Sequence, residues 1–227
     1  MRRIWKALSR FWETDKSLSV LLVLLVVFEL ILPPLLTGRG PYRPGPLADV
    51  LFTLVLVAGT AAVWREGRWV FRGVVVFNLV ALPIRWAAWF DPNGGFTVWS
   101  TATAVVAVAL LTFVVLSKVL RPGMVTSHRI EGAVAAYLLL GLVWAGAYEW
   151  VALSDPSAFV GANSGLQSAQ WIYYSLVTLT TMGYGDITPV HPVARSLAAA
   201  EALTGQLYLA ILISRLVALE LHSRRAA

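Results

Sequence analysis

The stretch TLTTMGYGDITP, residues 178–189, sets two glycines on either side of a tyrosine between two long apolar segments. Glycine adopts a positive φ at little steric cost, so Gly183 and Gly185 allow the carbonyl groups of residues 181–184 to point to one side of the chain. A row of peptide oxygens attracts a cation, but one row cannot surround a dehydrated ion. The stretch therefore predicts several copies of the chain around a common axis, with one such strand from each.

The composition is that of a membrane protein. Of the 227 residues, 58% are hydrophobic and 13% are charged, and apolar runs of about 20 residues, the length that crosses a hydrocarbon core of roughly 30 Å, recur along the chain. A shorter run, Gln170–Thr181, cannot cross and predicts a re-entrant helix. We expect an all-α membrane fold with six transmembrane helices, near Ser17–Leu36, Leu47–Trp64, Val70–Phe90, Val98–Ser117, Gly132–Leu153 and Pro192–Leu219.

The basic residues indicate the orientation of these helices. Most of the 18 Lys and Arg residues fall at the N-terminus, in alternate loops and after the last span. Because cytoplasmic loops are enriched in these residues, we expect both termini in the cytoplasm of a prokaryotic cell. The net charge of +6 is split between membrane-flanking loops, so nucleic acid is not an expected partner. The absence of cysteine excludes disulfides and thiolate metal sites.

A polar and basic segment, KVLRPGMVTSHRIEG at 118–132, divides the chain into two parts. Four spans over 17–120 precede it, and a pair of spans with the re-entrant run follows over 130–221, before a short tail at 222–227. Residues 1–16 predict an amphipathic helix in the inner membrane interface, with a disordered basic tail as the alternative. We expect lipids as partners and no soluble regulatory domain in the chain. The apolar face of the N-terminal helix consists of Ile4, Trp5, Leu8, Phe11 and Trp12.

The segment TTMGYGD, with the apolar run before it and a span on each side, resembles the selectivity filter of tetrameric potassium channels, in which carbonyl oxygens replace the hydration shell of the ion. The resemblance extends over about residues 130–220: an outer helix, a pore helix SAQWIYYSLVTLT, the filter and an inner helix. It implies a homotetramer that conducts K⁺, with K⁺ as permeant ion and no other cofactor. Methionine stands at the position where the family usually has valine. The implied ion-binding residues are Thr181, Met182, Gly183, Tyr184 and Gly185.

The resemblance also implies residues that support the filter. Tyr173 and Tyr174 correspond to paired aromatic residues that brace it from behind, and Asp186 lies at its outer mouth, where four copies would form an anionic ring. Glu149, near the outer end of the fifth span, resembles a glutamate that ties the outer helix to the filter region. The pore helix is expected to begin near Ser164 or Ser168.

Three residues of the sixth span complete the predicted site. Glu201 and Arg195 fall behind the filter by sequence distance and are expected to anchor it through hydrogen bonds. Gly205 lies where the family often has its gating hinge, because a glycine weakens a helix by about 1 kcal/mol relative to alanine. A close-packing role for Gly205 is the alternative.

The first four spans do not resemble a voltage sensor in their charges. Such a sensor needs several arginines along the fourth span, and the span VWSTATAVVAVALLTFVVLS has none. We therefore predict weak voltage dependence, with Lys118 and Arg121 as topology anchors. Glu29 and Arg85, at similar depth in spans one and three, predict an ion pair, unless Arg85 extends to the outer interface.

Other functional classes fit the sequence less well, and we do not expect an enzyme. An intramembrane serine hydrolase would need the serine of GANSG, residues 161–165, together with His128, His191 or His222, but no acidic residue is placed to orient these histidines. A transporter built on filter-like loops needs four copies in one chain, and the chain has one. A weakly selective cation channel and a non-conducting channel subunit remain open.

Overall fold

The computed structural model describes residues 16–33, 46–62, 68–87, 96–120, 127–162 and 168–226. The amphipathic helix predicted over 1–16 lies outside these residues, apart from Lys16. Helices occupy most of the described chain. They are α1 (Lys16–Val26), which continues as a π-helical turn (Val27–Ile31), α2 (Pro46–Ala62), α3 (Arg68–Ala87), α4 (Phe96–Val119), α5 (Ser127–Ser154), α6 (Ser168–Leu179) and α7 (Pro192–Ala226).

Two strands of two residues each join these helices, which the sequence did not predict. Strand β1 (Phe159–Val160) lies between α5 and α6, and β2 (Thr188–Pro189) lies between α6 and α7. They pair antiparallel, with Phe159 opposite Pro189. A two-residue strand has no detectable period in a sequence, so pattern reasoning cannot find it.

Several of the helices have the length and composition of membrane spans. Among the described residues, Val98–Val119, Ser127–Ser154 and Pro192–Arg215 are long and apolar enough to cross a membrane. The apolar parts of α1 and α2, Ser17–Ile31 and Leu47–Ala61, are shorter. The protein is therefore a mainly helical membrane protein, and the count of six spans stays a prediction.

Helix α5 lies at the centre of the packing, in contact with α1, α4, α6 and α7. Glycines make the close approaches possible, because they carry no Cβ. A Cβ at Gly132 would meet Leu18 of α1, and one at Gly146 would collide with Val105 of α4. The two parts that the sequence separates at 118–132 therefore share one buried core.

The predicted pairing of Arg85 with Glu29 is wrong. Nε of Arg85 lies 2.6 Å from Oδ1 of Asp49, in the first turn of α2, and the guanidinium carbon lies 4.4 Å from the ring centre of Phe52. The contact is one of opposite charges rather than an aligned hydrogen bond. Glu29 is buried in the π-helical turn, and neither of its carboxyl oxygens has a hydrogen-bond partner in the described chain. Similar depth along two helices does not reveal which helices are neighbours.

Candidate functional site

The backbone after α6 alternates in handedness. Thr181 has φ +59°, Gly183 has φ +59° and Gly185 has φ +80°, whereas Met182 and Tyr184 between them have negative φ. Such alternation turns successive amide groups to one side of the chain and successive carbonyl groups to the other. Positive φ therefore occurs at both of the predicted glycines and also at Thr181.

The amide groups of this strand point back toward α6. The amide of Thr181 donates to the carbonyl of Thr178 at 2.9 Å, and the amides of Met182 and Gly183 donate to the carbonyl of Val177 at 2.9 and 3.4 Å. The last carbonyls of a helix have no partner within it, so the strand satisfies them. No described residue donates a hydrogen bond to the carbonyl oxygens of residues 181–184. These oxygens remain available to a ligand.

The filter strand lies on the surface of a single chain. Every residue from 180 to 186 is exposed. Nothing lies within 4 Å of the point where a Cβ of Gly183 or Gly185 would be. The described part of the chain therefore does not cover this strand.

Thr181 is held in its unusual conformation by two side-chain contacts. Its hydroxyl donates to the carbonyl of Thr180 at 2.7 Å and accepts a hydrogen bond from Nε2 of Gln206 in α7 at 3.0 Å. A positive φ is rare for a β-branched residue and needs such support. Sequence reasoning missed Gln206, although an amide side chain within an apolar helix is a visible signal.

The two predicted bracing tyrosines have different roles. Tyr174 is buried, and its ring packs against Tyr148 with centroids 4.7 Å apart. Tyr173 is 39% exposed, and its hydroxyl donates to Oδ2 of Asp186 at 2.8 Å. A hydrogen bond therefore joins the pore-helix candidate α6 to the predicted outer mouth.

The ring of Tyr174 belongs to an aromatic cluster behind the filter strand that the sequence indicated only in part. Its members are Tyr148, Phe159, Trp171 and Tyr174, with neighbouring centroids 4.7 to 6.5 Å apart. Tilted and edge-on pairs of this kind add to the energy of burial. The cluster fixes α6 against α5 and against strand β1.

Glu201 of α7 is fully buried and joins three helices. The hydroxyl of Tyr148 in α5 lies 2.5 Å from its Oε2. The hydroxyl of Ser175 in α6 lies 2.5 Å from its Oε1 and 2.8 Å from the carbonyl oxygen of Gly141. Glu201 therefore contacts the helix that precedes the filter strand. Tyr148 and Ser175 were not predicted.

Gly205 lies against the end of α6. A Cβ at this position would collide with the carbonyl group of Leu179, and the same carbonyl accepts a hydrogen bond from Tyr137 of α5 at 3.2 Å. The close-packing alternative for Gly205 therefore has a physical cause in the structure. The hinge role stays a prediction.

Glu149 lies on the side of α5 that faces the first four helices. It lines a cavity of about 60 Å³ together with Arg85, Thr101 and apolar side chains. Ile172 of α6 forms part of the same wall. The predicted tie to the filter region remains untested.

The outer end of the site is fastened by β1 and β2. The amide of Val190 donates to the carbonyl of Ala158 at 2.9 Å, and Nε of Arg195 donates to the carbonyl of Pro189 at 3.2 Å. Asp155 begins the loop before β1, and hydrogen bonds from the hydroxyl and amide of Ser157 lower its pKa. The segment after the filter strand is thus held to the segment before α6.

One comparison with known proteins identifies a related family. A family model described as an ion channel matches residues 136–220, from the first half of α5 to the second half of α7. The match supports an ion channel family. It covers less than half of the chain and supports passive ion conduction by this segment rather than catalysis; the serine of the hydrolase alternative lies outside the described residues. Comparison with curated proteins and with solved structures gives no match.

Proposed function

We propose that the chain is one subunit of a homotetrameric potassium channel. The carbonyl oxygens of Thr181, Met182, Gly183 and Tyr184 form the ion sites, with the hydroxyl of Thr181 at the inner end, and Gly185 completes the turn at the mouth. One observation carries this proposal: φ is positive at alternate residues, the amides of residues 181–183 donate to α6, and no described residue donates to the carbonyls.

The energetics of these carbonyl groups favour several chains around one axis. A carbonyl that faces hydrocarbon without a partner costs several kcal/mol. Four successive carbonyls therefore cannot face lipid, but they can face a row of ions and the same strand in other copies. Rings of such oxygens replace the water around a dehydrated K⁺. Asp186 adds one carboxylate per chain near the mouth, which concentrates cations there.

The inner-helix candidate α7 supports the same arrangement. Only 11% of the most apolar stretch of α7 is buried in a single chain, whereas 44% of the corresponding stretch of α5 is buried. Leu203, Leu207 and Ile211, at a spacing of four residues, form one exposed face. Lipid could cover this face, but α7 also packs on α6 beside the filter strand, whose oxygens lipid cannot cover. We infer that other copies of the chain cover part of it.

Gating by voltage is not part of the proposal. Helix α4 has Lys118 as its one charged residue, at its C-terminal end. Moving a single charge across the membrane is worth about 2.3 kcal/mol per 100 mV, and sensors need several such charges. A steep conductance–voltage relation of the purified, reconstituted protein would contradict this part of the proposal.

Ion flux in liposomes tests the function directly. We expect uptake under a K⁺ gradient to exceed uptake under an equal Na⁺ gradient, because the ring of oxygens fits the dehydrated K⁺. Gly183→Ala should abolish the difference, because alanine strains a backbone at φ +59°. Gly73→Ala is the matched control, since a Cβ at Gly73 meets nothing within 4 Å. Equal passage of the two ions by the unmodified protein, or a purified monomer, would overturn the proposal.

A further inference from the structure

We propose that Glu201 is a neutral, protonated carboxylic acid that positions α6 behind the filter. The inference rests on the proposed function only for its effect on ion flux. Its physical basis is a count of the protons that the surrounding hydrogen bonds require. Glu201 is fully buried and its carboxyl oxygens contact Tyr148 and Ser175, so its role is positioning.

The hydroxyl of Ser175 decides the count. A serine hydroxyl has one proton to donate and can accept from other groups. Its oxygen lies 2.8 Å from the carbonyl oxygen of Gly141, which can only accept. If Ser175 gives its proton to Gly141, then its 2.5 Å contact with Oε1 of Glu201 is a hydrogen bond only when Glu201 carries a proton.

The other carboxyl oxygen fits the same assignment. The hydroxyl of Tyr148 lies 2.5 Å from Oε2 of Glu201 and can donate to it. A neutral acid then donates to Ser175 and accepts from Tyr148, so all three contacts are satisfied. An ionised carboxylate has no proton to donate, so Ser175 would have to donate to it. No proton would then lie between the oxygen of Ser175 and the carbonyl oxygen of Gly141.

The charges around Glu201 also favour the neutral form. The titratable groups that face it are Tyr148 and Tyr137 from α5 and Tyr174 from α6. Glu29 lies beside the same glycine: its Oε2 and Oγ of Ser175 are each 3.8 Å from the point where a Cβ of Gly141 would lie. No Lys, Arg or His among the described residues forms an ion pair with Glu201. A buried carboxylate without a cation is strongly disfavoured.

These contacts lead to the filter strand through α6. Ser175 is two residues before Val177, whose carbonyl accepts the amides of Met182 and Gly183. Tyr148 packs on the ring of Tyr174, in the same helix. The protonated acid therefore links α5, α6 and α7 where α6 holds the filter amides.

Two substitutions separate the neutral acid from a required negative charge. Glu201→Gln keeps one donor and one acceptor without charge, and we expect its K⁺ flux and K⁺ over Na⁺ preference to stay within about twofold of the unmodified protein. Glu201→Leu keeps the approximate volume and removes the hydrogen bonds, and we expect a loss of roughly tenfold in the preference. If Glu201→Gln loses as much as Glu201→Leu, the proposal is wrong.

Infrared difference spectra of the protein in lipid detect the proton on Glu201 directly, without a measurement of ion flux. We expect the unmodified protein minus Glu201→Gln to contain the C=O stretch of a protonated carboxylic acid. Ser175→Ala should keep this band and move it to higher frequency, because the acid loses its acceptor. A band that disappears in Glu29→Gln belongs to Glu29, so this substitution distinguishes the bands of the two buried acids. Loss of a carboxylate band in Glu201→Gln, or no band shift in Ser175→Ala, would overturn the proposal, even in a protein that does not conduct.

Discussion

At the scale of single residues, positive φ values at Thr181, Gly183 and Gly185 shape the filter strand. Glycine takes a positive φ freely, so this conformation is expected at Gly183 and Gly185. It is not expected at Thr181, because a β-branched residue rarely adopts it. It depends on Gln206, 25 residues further along the chain. A contact of that kind has no local signature.

The contact between Gln206 and Thr181 leads to a prediction about selectivity. Gln206→Leu removes the donor to the hydroxyl of Thr181, and a hydrogen bond is worth about 1 kcal/mol. We therefore expect the K⁺ over Na⁺ flux ratio to fall by roughly fivefold. Thr204→Val is the control, because among the described residues the hydroxyl of Thr204 bonds to the carbonyl of Ala200 in its own helix. An unchanged ratio in Gln206→Leu would show that this contact does not support the filter.

A substitution at Gly205 can distinguish a close-packing role from a hinge role. Alanine favours a helix by about 1 kcal/mol over glycine, but a Cβ here collides with the carbonyl of Leu179, and overpacking costs about 1–3 kcal/mol. We expect Gly205→Ala to lower the thermal stability of the detergent-solubilised protein, while Gly73→Ala leaves it unchanged or raises it. A Gly205→Ala protein that is as stable as the unmodified one and differs only in open probability would favour the hinge.

At the scale of helices, most elements were predictable and their neighbours were not. The fifth span was expected over Gly132–Leu153, and the helix observed there is Ser127–Ser154. The two ranges agree closely at the C-terminal end, because the apolar pattern indicates the extent of a helix. The structure describes the pore-helix candidate from Ser168, one of the two predicted starts, and the other, Ser164, lies outside the described residues. Nothing in the sequence indicates that α5 packs on both halves of the chain, since small residues indicate close packing but not the partner helix.

The misassigned partner of Arg85 provides a test at this scale. Removing one member of a buried ion pair leaves an unpaired charge and costs about 3–5 kcal/mol. Because Asp49 and not Glu29 contacts Arg85, Asp49→Asn should lower the thermal unfolding temperature in detergent far more than Glu29→Gln. The side chain of Arg85 is 17% exposed, so the lower end of the range is expected. Equal effects of the two substitutions would argue against the observed pairing.

At the scale of the whole molecule, the described chain contains one complete core and one incomplete surface. The core runs from Leu18 in α1 to Ala194 in α7. The incomplete surface consists of the filter strand and the exposed face of α7. The sequence pattern of one chain does not predict how many copies form the assembly, because that number depends on the angle between the contact surfaces of each copy.

Mixed assemblies measure that number. If one Gly183→Ala subunit is enough to disrupt the ring of oxygens, K⁺-selective flux requires every subunit to be unmodified. Equal co-expression of the two forms with random assembly then leaves roughly one sixteenth of the selective flux for a tetramer, about one quarter for a dimer and about one half for an independent monomer. Co-expression with Gly73→Ala should leave the flux unchanged. A residual flux near one sixteenth would fix the ring at four rows of oxygens, whereas one near one half would mean that a single chain conducts and that its exposed carbonyls face something other than their own copies.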